Sequence, residues 1–313
     1  MLKCILKKVY HFYKKISAEK PMRYYEIDGF QMDMGEGHML SLNQNNCPMY
    51  DRFVPFLGRL ADEKMKRMGQ DENCWIIDIG ANVGDTVAGF IRHTRAEVVC
   101  VEPTKKFMLL LQKNIAAMEP VYSKRIHIVR AYIAQNHTEN YVSSVVGGTA
   151  VKKKVEEAAC SEAPTLTIPD LLQQEKILPE KLALVKVDTD GYDSECIMSF
   201  RGVLSQISPL LFWENQIDTD AQMNKFVEMV SYLADNSYTE FFVFDNFGNY
   251  LCCVDAENLK KINCYLGRIL HQCSPRSFCY VDVLACKEGD QEMCRAVINE
   301  YVNLFDKGVL STD

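Results

Sequence analysis

Within nine residues, Asp78-Ile79-Gly80-Ala81-Asn82-Val83-Gly84-Asp85-Thr86 offers a carboxylate, two glycines and an acidic helix start, directly after the apolar run Trp75-Ile76-Ile77. Glycine at 80 and 84 removes Cβ atoms where the chain must turn sharply and lets a ligand approach the backbone. Asp78, at the end of a strand, is placed to reach the crevice in which open α/β sheets bind ligands. A dinucleotide fingerprint, Gly-x-Gly-x-x-Gly, requires a glycine where Asn82 stands. The spacing therefore points to a nucleoside cofactor other than NAD or FAD.

Two further groups of acids stand at strand ends. Glu102, in Val98-Val99-Cys100-Val101-Glu102-Pro103, comes about two dozen residues after Asp78. An acid there can accept both hydroxyls of a ribose; its plainer reading is a helix-start acid next to Pro103. Leu184-Val185-Lys186-Val187-Asp188-Thr189-Asp190-Gly191-Tyr192-Asp193 ends in three carboxylates around a glycine. Asp188 is expected to project beside Asp78, and at least one of the three to serve only as a helix cap. Glu214 and Asn215 close the next strand. With Asp188 they can hold a hard divalent cation such as Mg2+ through oxygen ligands, or position a substrate hydroxyl.

These side chains need a framework, and the hydrophobic pattern supplies one. Strands are expected at 75–79, 97–101, 126–131, 182–188, 209–213, 239–244, 250–253 and 278–286. Helices are expected at 84–93, 104–117, 168–175, from near Tyr192, at 220–235 and at 290–305. The alternation is that of an α/β fold, a mostly parallel sheet with helices on both faces. Before it, residues 24–34 read as a hairpin around Asp28-Gly29 and 49–68 as an amphipathic helix. We divide the chain into a cap region, 1–70, and a main domain, 71–313. The polar interval 134–165 is long for an unstructured loop and is expected to cover the site or to hold small elements of its own.

Composition narrows the partners. The 48% hydrophobic content supports a folded core, and a net charge of −7 gives no electrostatic footprint for nucleic acid. The 13 cysteines contain no Cys-x-x-Cys pair, so neither a zinc site nor a secreted disulfide framework is indicated, and a cytoplasmic setting fits best. Residues 1–20 carry six lysines among apolar residues in an amphipathic pattern too short to span a bilayer. They read either as a helix packed on its own domain or as a peripheral membrane contact.

The combination of Asp78-Ile-Gly-Ala-Asn-Val-Gly-Asp-Thr86, Val101-Glu102-Pro103, Ala131, Thr167-Ile-Pro-Asp-Leu-Leu172 and Lys186-Val-Asp-Thr-Asp-Gly191 resembles the FkbM-type S-adenosylmethionine-dependent methyltransferases over roughly 74–215. Where that family commonly has Glu-Gly-x-Glu, this chain has Asp190-Gly191-Tyr192-Asp193. The resemblance implies a Rossmann-like, seven-stranded sheet whose last strand is antiparallel. It implies S-adenosylmethionine as cofactor and O-methylation of a hydroxyl on a sugar, glycan, glycolipid or related natural product. It places Asp78, Gly80, Ala81, Asn82 and Gly84 along the methionine and ribose end, with Asp85 and Thr86 at the helix start. Glu102 and Pro103 fall by the ribose, Ala131 and Tyr132 by the adenine.

Transfer of a sulfonium methyl to an alcohol calls for orientation and a base. Asp190 or Asp188 is the first candidate for that base and His137 the second; a cation at Asp188 and Glu214 would replace it. The chain has no Asn/Asp-Pro-Pro-aromatic run, which argues against methylation of nucleic-acid bases. Methylation of a protein or small amine, or a cofactor-binding scaffold without turnover, are the alternatives.

Overall fold

The computed structural model describes residues 20–69, 74–146, 149–155, 161–272 and 280–306. The apolar run at 75–79 and those that follow become an eight-stranded sheet: β3 (Trp75–Ile79), β4 (Glu97–Val101), β5 (Ile126–Val129), β10 (Leu182–Val187), β11 (Leu210–Gln216), β12 (Tyr238–Asp245), β13 (Tyr250–Val254) and β14 (Tyr280–Lys287). Its spatial order is β13-β12-β14-β11-β10-β3-β4-β5. β3 pairs in parallel with β4 on one side and β10 on the other. The chain thus runs outward through β4 and β5 and then returns to the far side of β3. That reversal opens a crevice at the carboxyl ends of β3 and β10.

The sheet corrects the expected seven strands. β14, the last strand in the chain, is antiparallel and inserted between β11 and β12. The eighth strand is β13, which forms an edge hairpin with β12. Its turn is pinned by the Asp245 carboxylate, which accepts from the Phe247 and Asn249 amides at 2.9 and 2.8 Å.

One sheet face is covered by α6 (Ile168–Gln174), α7 (Asp193–Met198), α8 (Asp220–Asp235) and α9 (Ala256–Gln272), around Trp213, Phe226 and Phe241. The other face carries α3 (Asp85–Phe90), α4 (Lys105–Ala117), the short α5 (Pro120–Ser123) and α10 (Gln291–Asp306), together with the cap. In the cap, β1 (Tyr24–Ile27) and β2 (Phe30–Asp33) form the expected hairpin, with Asp28 and Gly29 at φ 46° and 78°. Positive φ at both central residues is the type I′ signature that Asp-Gly favours.

The cap helix begins later than its apolar pattern suggests. A separate α1 (Leu40–Asn46) comes first, and α2 runs Val54–Arg67 rather than from 49. Asp51, at φ 59°, interrupts the helical path and turns Tyr50 and Asp51 toward the sheet. Phe53 then locks the cap down, its ring 4.5 Å from Phe244 and 5.2 Å from Tyr301. Truncating such a buried ring costs roughly 3–5 kcal/mol.

The polar interval does hold small elements. β6 (Tyr132–Ile133) pairs with β9 (Thr165–Leu166), and β7 (Asn140–Val146) pairs with β8 (Thr149–Val155) as a hairpin. The Thr167–Asp170 segment is a capping box at the start of α6: Thr167 Oγ1 accepts from the Asp170 amide, and Asp170 Oδ2 accepts from the Thr167 amide at 2.9 Å. The amphipathic helix expected over residues 1–20 lies, except for Lys20, outside the described residues.

Candidate active site

A cleft of about 210 Å³ opens at the carboxyl ends of β3, β4, β10 and β11, roofed by the cap. Gly80 makes its floor possible. At φ 83° it turns directly under β10, and a Cβ there would stand 1.8 Å from the Asp188 carbonyl oxygen. The same closeness lets the Asp188 amide donate to the Ile79 carbonyl at 3.0 Å. Gly80 and Ala81 amides both donate to the Val101 carbonyl, tying the turn to β4. Gly84, at φ 89°, packs against Leu111 on the side away from the cleft.

Glu102 sits at the next strand end and is buried. Its Oε2 accepts from the Asn82 amide at 3.0 Å and its Oε1 from the Thr104 amide at 2.7 Å. These fixed donors orient the carboxylate and still leave lone pairs for a vicinal diol. Burial pushes the Glu102 carboxyl up to about 7, against the pull of its backbone donors. Ala131, Tyr132, Ile133 and Ser143 line the cleft beyond it, with the Tyr132 phenol 2.8 Å from Ser143 Oγ. The β7–β8 hairpin is thereby joined to this wall.

On the other side the strand face is charged. Lys186, fully enclosed on β10, places Nζ 3.4 Å from Asp78 Oδ1 and 3.1 Å from Asp188 Oδ2. Burial opposes its charge, but Asp188, Asp78 and Asp85 outweigh it and hold the ammonium protonated. Asp78 is completely buried. Burial lifts its carboxyl to about 6 despite Lys186, so the pair is ionic at neutral pH.

Asp190 follows at φ 52° and lines the cleft. Burial, with the charges of Asp188 and Asp193, raises it to about 7. Asp193 is the helix-start acid among the three: its Oδ2 accepts from the Thr189 amide and hydroxyl at 3.3 and 3.0 Å.

The sequence of residues 78–240, just over half the chain, matches the model of the methyltransferase FkbM domain. The chain belongs to the FkbM methyltransferase family. It is an S-adenosylmethionine-dependent methyltransferase built on the mostly parallel α/β sheet described above. No curated protein matches it significantly. Similar solved structures include the O-methyltransferase from Bacillus cereus in complex with SAH, at 13% identity and TM-score 0.41 over 80% of this chain and 89% of that one. TrmK of M. capricolum with S-adenosyl-homocysteine is 10% identical at TM-score 0.38, covering 77% and 70%. The precorrin-6y C5,15-methyltransferase of Geobacter metallireducens GS-15 is 10% identical at 0.34, covering 72% and 86%.

Of the residues read from the sequence, this FkbM methyltransferase brings Gly80, Asn82, Asp85, Thr86, Glu102, Pro103, Ala131, Tyr132, Asp188, Asp190 and Glu214 to the cleft. Five positions are corrected. Asp78 does not line it but stands behind Lys186. Ala81 and Gly84 point into the helix-covered core, since only alternate residues of the turn can face the ligand.

Asn215 is the clearest correction. Alternation along β11 turns it to the opposite sheet face, where it accepts from Trp213 Nε1 and donates to Asn263 Oδ1. It therefore cannot join Asp188 and Glu214 around Mg2+. The Lys186 ammonium already stands against Asp188, and no cluster of three metal-ligating acids, histidines or cysteines exists among the described residues. His137 is likewise away from the chemistry. Its side chain is 71% exposed, with Nδ1 3.8 Å from Asp170 Oδ2 on the outer surface.

Lys186 is a cleft residue to which the sequence reading gives no role of its own. Its signal was plain, a lysine inside the buried run Leu-Ala-Leu-Val-Lys-Val. Such a charge survives burial only with a partner. Tyr50 and Asp51 of the cap and Tyr280 and Asp282 of β14 also line the cleft; nothing in their local sequence announces it. No helix among the described residues is long and apolar enough to cross a membrane.

Proposed function

We propose that this methyltransferase O-methylates a hydroxyl of a sugar, glycan, glycolipid or related natural product, with Asp190 as the base. In this reading Glu102 holds the ribose diol, and Ala131 and Tyr132 flank the adenine. Gly80, Asn82, Asp85 and Thr86 line the methionine end. The cofactor supplies an electrophilic methyl on sulfur. The chain's own residues must align an acceptor oxygen with it and accept a proton. With the acceptor hydroxyl aligned on that methyl, the Asp190 carboxylate would take up the hydroxyl proton as the methyl is transferred from sulfur to oxygen.

The observation that carries the reading is Asp190 itself. Its carboxyl faces the cleft from the end of β10, and its raised value of about 7 makes it a far better base than an ordinary aspartate at neutral pH. Lys186 supports it by neutralising Asp188, so that a charge on Asp190 is tolerated.

The test is Asp190→Asn, assayed for transfer of labelled methyl to a panel of glycosides alongside calorimetric titration with S-adenosylhomocysteine. Loss of 10²- to 10⁴-fold in turnover, roughly the worth of a general base, with product affinity unchanged is the expected result. Wild-type transfer by the variant would remove Asp190 from the mechanism.

A further inference from the structure

The cleft continues past the cofactor residues over β11 and β14, and this end is acidic. Glu214 and Asp282 face each other across the antiparallel β11–β14 pair. Both lie on the sheet face that carries Lys186 and Phe212, with Tyr280 two residues from Asp282. The cap closes over them with Tyr50 and Asp51. Strands stand about 4.8 Å apart. Glu214 is thus two strands from the glycine turn of β3 and Asp282 three, on the order of 10–14 Å away. That distance places them on the acceptor's side of the transferred methyl.

Among the described residues none of Asp51, Glu214 and Asp282 has a cationic partner. Glu214 Oε2 is also buried without a hydrogen-bond partner. The basic groups lining the cleft are Lys186, held between Asp78 and Asp188, and His38, 3.7 Å from Asp85. Among the described residues lining the cleft, no basic group is left to balance an acceptor phosphate or carboxylate. Glu214 and Asp282 are partly buried and Asp51 stands exposed at the rim; three carboxyls crowded without counter-ions are costly unless they remain protonated or a ligand brings positive charge.

We propose that the acceptor carries an ammonium group, as in an amino sugar or amino alcohol, seated between Glu214, Asp282 and Asp51, with Phe212, Tyr50 and Tyr280 around its carbon frame. The proposal rests on the methyltransferase reading above and adds the acceptor's charge to it. Asp51, Tyr50, Tyr280 and Asp282 all fall outside residues 78–240. Apart from Glu214, the acceptor's charge is therefore read by parts of this chain that the shared family segment does not contain.

Protonation gives an independent signature. Burial and the neighbouring carboxylates hold the Glu214 and Asp282 carboxyls well above the ordinary range. Asp85, Asp188, Asp190, Asp193, Lys186 and the Tyr50 and Tyr280 phenols make up the charged and titratable surroundings. A bound cation favours the ionised carboxyls, so binding at pH 7 must release protons.

The experiment uses the full chain saturated with S-adenosylhomocysteine and three probes of one shape: cyclohexylammonium, cyclohexanol and cyclohexanecarboxylate. Binding is followed by ligand-observed NMR, and proton release by calorimetry in buffers of different ionisation heat. Cyclohexylammonium is expected to bind at least about tenfold more tightly than the other two, equivalent to about 1.4 kcal/mol, with net proton release. Glu214→Gln and Asp51→Asn should erase that preference while S-adenosylhomocysteine still binds. Equal or better binding of the alcohol or carboxylate, or no saturable binding of the ammonium, overturns the proposal. Failure of S-adenosylhomocysteine to bind the wild-type protein would instead strike the cofactor reading.

Discussion

The two ends of the cleft are built on different physical terms. At the β3–β4 end the geometry is backbone: Gly80 turned under Asp188, and Glu102 fixed by the amides of Asn82 and Thr104. At the β11–β14 end it is side-chain charge, with Glu214, Asp282 and Asp51 gathered from three separate elements and left without counter-ions. Backbone geometry leaves little freedom in residue type, whereas a charged wall can be rebuilt by changing a few side chains. The first end lies inside the segment shared with the FkbM family; the second draws mostly on residues outside it. A fold can in this way keep its donor site while changing what it modifies.

Lys186 stands at the boundary between these ends, and its removal should have the largest effect. Lys186→Met leaves Asp78 buried and unpaired, a loss of roughly 3–5 kcal/mol. The penalty should shrink below pH 6, where Asp78, already at about 6 with its partner present, becomes neutral. Chemical denaturation at pH 7.5 and pH 5 measures both values. Equal destabilisation at the two pH values would show that packing, not charge, is what Lys186 supplies.

A smaller effect involves several carboxyls together. Asp78, Glu102, Asp190 and Asp193 all have folded-state values raised to about 6 or 7. The folded chain therefore binds more protons than the unfolded chain between about pH 4 and pH 7, and stability must fall as pH rises through that window. The ligand-free protein should lose about 2 kcal/mol or more between pH 5 and pH 7.5, the worth of between one and two pKa units. Stability that climbs over that range would contradict the burial of these carboxyls.

How much of this was legible depends on where each determinant lies. The β3–β4 end could be read because its requirements are local: two glycines at a turn and an acid at each strand end leave a pattern within a few residues. The order of strands and helices was legible for a similar reason, since each run has its own period. The strand at 250–253 was expected and is β13; the place of β14 between β11 and β12 was not, because strand order is decided by long-range pairing. Asn215 was misassigned although the alternation of β11 turns it from Glu214. His137 was attractive only by type. The acidic end was invisible because Asp51 meets Glu214 and Asp282 only when the cap folds back across the sheet. The φ of 59° at Asp51 that aims it there is hidden beneath a helical pattern running from 49 to 68.

The division of the cleft is tested most directly by titrating S-adenosylhomocysteine into wild type, Glu102→Gln and Glu214→Gln under identical conditions. The account expects Glu102→Gln to weaken binding by about 10- to 100-fold, the worth of a charged hydrogen-bond acceptor, and Glu214→Gln to leave it unchanged. Equal weakening by both, or a loss confined to Glu214→Gln, would contradict the assignment of the donor to the β3–β4 end.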